Sequence, residues 1–225
     1  MNNTYVTLFL DIGRSSWTSY SRSLDQYLPH FLPYTRLFNI SQENVMYAFI
    51  DERYTSILEK YIENTKINVI PINEKWMLDN LFMWKFLDRE EEIMKSEYFR
   101  SLIPQHRLDK NPETYQAKYT LINHCKIDLI RFIIDNYPKT DFYTWVDFGY
   151  FKFRESIPHK LMNITKFNPN NITYPILHYL TENDKNPINI LKTDLVKICG
   201  YCFTGGINVM MKYQELYHSV LQDYQ

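Results

Sequence analysis

The chain has little glycine, little cysteine, almost no net charge and no long apolar run. Five glycines occur in 225 residues, where average usage near 7% would give about 15. So sparing a chain keeps glycine where a side chain does not fit, and the positions of the five carry weight. Three cysteines, Cys125, Cys199 and Cys202, are too few and of the wrong parity for a disulfide framework. "CGYC" has no second pair to complete a structural zinc site, so all three are expected to be buried and reduced. The net charge is −1, and no basic run exists, which argues against a nucleic-acid partner. No apolar stretch approaches the roughly 18–20 residues of a membrane span, so no transmembrane segment is expected. "MNNTYVTLFLDIG" lacks the basic start of a signal peptide and runs directly into a strand pattern. A cytoplasmic location is expected.

What remains is a chain with an ordinary apolar share, 45%, long enough for one domain over residues 1–225 with its own core. "YVTLFLD" (5–11), "NVMYAFID" (44–51), "KINVIPI" and "TDFYTWVDFG" read as buried strands. Leu24, Tyr27, Leu28 and Phe31 have helical spacing, as do Tyr54, Ile57, Leu58, Tyr61 and Ile62. A long helical stretch is predicted from Glu74 to about Phe99, and another over Pro112–Tyr137, with proline at its start. Residues 155–192 are polar and weakly patterned. "DLVKICGYCFTGG" is predicted as a late strand before a terminal helix. Strands alternating with helices predict an α/β fold with a mainly parallel sheet flanked by helices.

Four of the five glycines fall just after apolar runs: "LFLDIGR", "WVDFGY" and "CFTGGIN". In parallel sheets ligands bind beyond the carboxyl ends of strands. Asp11, Asp147 and Gly205 are therefore expected along one sheet edge. A strand-end carboxylate such as Asp147 is a fixed oxygen ligand for a hard divalent cation. The same Asp and Gly can equally cap and make an ordinary turn. "LFLDIGRSS" also has the form of the first phosphate loop of sugar-kinase-like ATPases, which are longer and richer in glycine. Haloacid-dehalogenase-like phosphatases need a second aspartate two residues on, where Gly13 stands.

Four stretches in order resemble the HtrL/YibB family, which is related to the glycosyltransferase-A fold. They are "VTLFLDIGRSSW" (6–17), "NPETYQAKYTLINHCKIDLIRFII" (111–134), "WVDFGY" (145–150), and "GGINV" leading into "YQELYHSVLQ" (205–222). The resemblance implies a single glycosyltransferase-A-like domain. It implies transfer of a sugar from a nucleotide-diphospho-sugar donor to a glycan acceptor, as in polysaccharide biosynthesis. Its alternative is an inactive or truncated relative that binds a nucleotide sugar or a glycan. "WVDFGY" takes the place of the Asp-x-Asp motif. Asp147 matches the first aspartate, which would hold manganese or magnesium through the donor diphosphate, and Gly149 stands where the second would be.

The first strand and its loop would line the nucleotide pocket through Thr7, Phe9, Asp11, Arg14 and Trp17. Arg14 suits phosphate, because a guanidinium pairs with it bidentately. Asn123 and Lys126 share a helical face, and Lys126 would balance the diphosphate. Arg131 lies on the same helix. His124 and Asp128 are four apart, as an ordinary helix pair is. Gly205 and Gly206 would lie where sugar and acceptor meet. The resemblance also implies an acidic segment beyond the last helix, where this sequence ends in "VLQDYQ". Transfer needs a base near the acceptor hydroxyl. Glu182, Asp184, Asp194, Glu215 and Asp223 are the carboxylates at hand, and none is assigned.

Overall fold

The computed structural model describes residues 1–40, 44–108, 110–151, 160–192 and 196–224. Five strands form one sheet: β1 (Asn3–Phe9), β2 (Asn44–Asp51), β3 (Ile67–Ile72), β4 (Phe142–Val146) and β5 (Cys202–Gly206). Their order is β3-β2-β1-β4-β5. The first four are mutually parallel, and β5 runs antiparallel to β4. Helices α1 (Leu24–Ile40), α2 (Thr55–Ile62), α3 (Glu74–Asn80), α4 (Leu87–Lys95), α5 (Glu97–Leu102), α6 (Gln105–Leu108), α7 (Ala117–His124), α8 (Lys126–Asn136), α9 (Pro187–Lys192) and α10 (Ile207–Tyr224) complete the chain. The fold is α/β with a mainly parallel sheet flanked by helices.

β1, β4, β5 and most of β2 are buried on both faces because both faces are covered, while the edge strand β3 is partly exposed. Val6, Leu8, Tyr47, Phe49, Tyr143 and Trp145 pack toward α3, α7, α8 and α10. Alternate residues Tyr5, Phe9, Met46, Ala48, Ile50 and Val146 pack toward α1 and α2.

The single helix expected from Glu74 to Phe99 is instead three, because polar side chains stop and restart it. Asn73 caps α3, its side chain accepting from Trp76 N at 2.8 Å. Ser96 is extended and caps α5, accepting from Phe99 N at 3.2 Å. Between them Met83 N donates to buried Asp128 of α8 at 3.2 Å. The helix expected over Pro112–Tyr137 divides at Cys125, whose φ and ψ are −72° and −8°. The late strand is shorter than predicted. Of its described residues only Cys202–Gly206 pair continuously, while Ile198 makes an isolated bridge to Ile176; Asp194 and Leu195 lie outside the described residues. The three cysteines are buried and free. No helix among the described residues is long and apolar enough to cross a membrane.

The antiparallel sense of β5 moves two predicted site residues. Val146 faces Cys202, and Phe142 faces Gly206. Gly205 and Gly206 thus lie at the amino end of β4, opposite the end that carries Asp147, so Asp11, Asp147 and Gly205 do not share an edge. Their lack of side chains is explained by packing. A Cβ on Gly206 would stand 2.4 Å from the Pro169 carbonyl oxygen, and one on Gly205 2.7 Å from Ile172.

Candidate functional site

In a sheet of this order the chain leaves β1 toward β2 on one side, while β4 lies on the other. The loops after β1 and β4 diverge and open a crevice. A cleft of about 680 Å³ lies there. Of the predicted residues, Phe9, Asp11, Arg14, Asn123, Lys126, Asp147 and Gly149 line it. Thr7 does not; it is fully buried in mid-strand opposite Ala48. Trp17 sits beside the cleft, edge-on to Tyr119 with ring centroids 6.0 Å apart.

Asp147 is held from several sides. Its backbone N–H donates to Tyr201 O at 2.9 Å, and its carbonyl accepts from the Tyr34 hydroxyl at 3.2 Å. Phe148 turns inward and stacks on Phe31 at 4.5 Å, which pins the turn to α1. The carboxylate Oδ1 accepts from the Trp145 indole at 2.7 Å and pairs with Lys126 Nζ at 2.8 Å. Oδ2 has no partner among the described residues. The Lys126 side chain is only 9% exposed against 38% for Asp147. Its ammonium also donates to Gly200 O at 2.9 Å and lies 5.5 Å from the Trp145 ring centroid. The division at Cys125 places Lys126 in the first turn of α8, close beneath the end of β4.

Gly149 leaves space that a side chain would fill. A Cβ there would come within 3.0 Å of the Tyr27 ring. The glycine admits that ring, and the Tyr27 hydroxyl accepts from Arg14 Nη1. Arg14 is further fixed by the Tyr20 carbonyl, at 3.2 Å from Nε and 3.1 Å from Nη2. Its guanidinium lies 5.2 Å from the Trp17 ring centroid and 5.3 Å from that of Tyr119. Arg22 lies 5.6 Å from the Tyr27 centroid and also lines the cleft. Neither arginine has a carboxylate partner among the described residues.

Asp11 is less available. Its Oδ1 accepts from Gly13 N at 2.9 Å and its Oδ2 from the Tyr54 hydroxyl at 2.8 Å. Arg53 bridges Asp11 O and the Asp51 carboxylate. Burial alone would raise the Asp51 pKa, but donors from Arg53 and the backbone N–H of Asp11 outweigh it and hold the carboxyl below its ordinary value. Asp11 thus ties the β1 loop to the β2 edge.

Among the described residues the oxygen set is thin for a metal held by side chains alone. There, Oδ2 of Asp147 is the one carboxylate oxygen lining the cleft without a donor on it, and an ammonium already neutralises that group. A hard cation takes six or more oxygens.

Sequence reasoning missed Arg22, Tyr27, Tyr119 and Tyr201. Arg22 lies in a polar stretch without periodicity. Tyr27 has only helical spacing in the sequence; in the fold it packs against the core and also braces Arg14. Arg131 lies off the site and pairs with Asp135 at 2.8 Å. His124 and Asp128 are not partners. His124 Nδ1 meets the Tyr217 hydroxyl at 2.7 Å, and Asp128 takes Gln214 at 2.9 Å and His218 at 2.5 Å. Glu182 pairs with Lys185 at 2.7 Å and Asp184 with Lys197 at 3.3 Å, both outside the cleft lining. Glu215 is exposed. Asp194 and the side chain of Asp223 lie outside the described residues.

The model of one protein family, described as "Bacterial protein of unknown function (HtrL_YibB)", matches residues 1–223. No curated protein and no solved structure matches the chain. The match spans nearly the whole sequence, and the chain belongs to that family.

Proposed function

We propose that this member of the HtrL_YibB family binds a nucleotide-diphospho-sugar in the β1–β4 cleft and transfers its sugar to a glycan acceptor, within a glycosyltransferase-A-like frame. The observation that carries the reading is a pair of guanidinium groups, Arg14 and Arg22, without carboxylate partners among the described residues and braced by aromatic rings in the same cleft as Lys126. Guanidinium forks match phosphate oxygens, and desolvated surroundings strengthen that attraction. Lys126 and the arginines then carry the charge of the diphosphate, as a metal does elsewhere. The free Oδ2 of Asp147 accepts from a donor hydroxyl. Any manganese or magnesium at this site takes most of its oxygens from diphosphate and water.

A second reading has its own support. Among the described residues the cleft has two carboxylates: Asp11 accepts at both oxygens and Asp147 is ion-paired with Lys126, so neither is a ready general base. A protein that holds the nucleotide sugar without transferring it fits this equally.

Thermal unfolding against nucleotides and nucleotide sugars, with and without manganese, tests the shared premise. A ligand at 100 times its Kd adds about 2.7 kcal/mol, a rise of roughly 5–11 °C for a domain of this size. The expected result is a rise with one donor that survives without manganese and falls in Arg14→Leu. No rise with any nucleotide would sink both readings. Release of free nucleotide on addition of glycan separates transfer from binding.

A further inference from the structure

A smaller cavity of about 220 Å³ lies on the far side of Lys126, and Asn123 and Lys126 line both spaces. Its other walls come from His124 of α7, Tyr213 and Tyr217 of α10, Tyr174, and Phe203 of β5. We infer that this cavity is a subsite for an uncharged sugar ring. Its role as the acceptor subsite rests on the transferase reading above; its sugar binding does not.

Three features select that ligand. The first is room: the volume is the share of roughly seven water molecules, enough for one monosaccharide ring. The second is an aromatic wall. Tyr174 stacks on Phe203 at 4.9 Å, and Tyr213 and Tyr217 stand 5.7 Å apart. Ring faces pack against the C–H face of a pyranose.

The third is the polar inventory. The Tyr174 and Tyr213 hydroxyls bond one another at 2.9 Å. One of their two protons is used, and one remains. The Tyr217 hydroxyl bonds His124 Nδ1 at 2.7 Å. If Tyr217 donates, His124 keeps a proton on Nε2; if His124 donates, Tyr217 keeps its own. Either way a donor is left over. Asn123 donates its amide to Tyr119 O at 2.9 Å, which leaves its oxygen to accept.

Donors and acceptors are thus mixed, as a polyol requires. Among the described residues no carboxylate lines the cavity, and the one cation there, Lys126, is already paired with Asp147. Burial and the nearby Lys126 push the His124 pKa down to about 4, so the imidazole is neutral at pH 7. Nothing here offsets the desolvation of an acidic or basic sugar.

The test follows the His124 imidazole by NMR while methyl β-glucopyranoside, methyl β-galactopyranoside and methyl β-glucuronide are titrated in. His124→Asn identifies its signals among the six histidines. A neutral glycoside is expected to move them, and the glucuronide is not. Tyr213→Phe, which keeps the ring and removes one hydroxyl, is expected to weaken binding roughly 2- to 10-fold. Tyr213→Leu is expected to abolish it, with both variants keeping the nucleotide-induced thermal rise. The inference is overturned if no neutral glycoside moves His124, if the glucuronide binds as well as the neutral sugars, or if Tyr213→Leu leaves the titration unchanged. Glycoside binding without any nucleotide response leaves the subsite standing and sinks the transferase reading instead.

Discussion

A carboxylate with two donors on one oxygen and none on the other is held in one orientation, and among the described residues Asp147 is such a group. Its partner Lys126 is the more buried, so the two ends of the pair are not equivalent. Removing Asp147 strands a buried ammonium, whereas removing Lys126 leaves a carboxylate that still has the Trp145 indole and water. Breaking a fully buried pair costs about 3–5 kcal/mol; with Asp147 partly solvated we expect roughly 2 kcal/mol for Asp147→Ala and less for Lys126→Met. Urea unfolding that shows the reverse order would refute this account of the pair. Gly149 makes a second residue-scale case. A methyl group there pushes on Tyr27, and Tyr27 braces Arg14. Gly149→Ala is expected to lower stability by about 1–3 kcal/mol and to reduce the nucleotide-induced thermal rise. Adding Tyr27→Leu is expected to restore stability and not the nucleotide response. If the double variant recovers both, Tyr27 is only a core residue.

The division between α7 and α8 is what brings Lys126 to the site, and α10 holds the divided pair together. His124 reaches Tyr217, and four residues further along Asp128 takes Gln214 and His218. The burial of His124 makes stability depend on pH. The His124 pKa falls from 6.5 to about 4 on folding, first through burial and then through Lys126. The unfolded chain therefore takes up a proton there at a pH where the folded chain does not. Stability is expected to fall as pH drops from about 6.5 toward 4, by roughly 3 kcal/mol from this residue, and the contribution then levels off. His124→Asn removes the titrating group, so its stability is expected to change less over the same window. Equal slopes for both proteins between pH 6.5 and 4 would show that His124 is not the group responsible. The pairing of His124 with Tyr217 joins residues 93 positions apart, and no local pattern announces it. The spacing of His124 and Asp128 points to a pair that the fold does not make, since each side chain turns instead to α10.

At the scale of the whole molecule, the parallel strands and their order of appearance are legible because strands buried on both faces leave unbroken apolar runs. The crevice is legible for the same reason: "LFLDIG" and "WVDFG" are such runs that end in a polar residue. The direction of the last strand is not legible. "CFTGG" is equally apolar whichever way it runs, and only its pairing with β4 shows that its glycines face away from the crevice. Arg22 is hidden because a loop has no period. This topology makes a prediction about where a bound nucleotide acts. Backbone amides exchange with solvent more slowly where a ligand suppresses local opening. With the nucleotide that gives the largest thermal rise, protection is expected in the β1 loop and start of α1 (11–27), in α7 through Lys126, and at 147–150. Those three segments are far apart in sequence and meet only at the β1–β4 crevice. Segments 203–207 and 55–72, at the other end and edge of the sheet, are expected to be unchanged. Protection centred on Gly205 and Gly206 would place the ligand at the wrong end of β4 and overturn the site. Protection confined to 11–27 would mean that the arginines bind phosphate without Asp147 and Lys126, and that the crevice is not shared between β1 and β4.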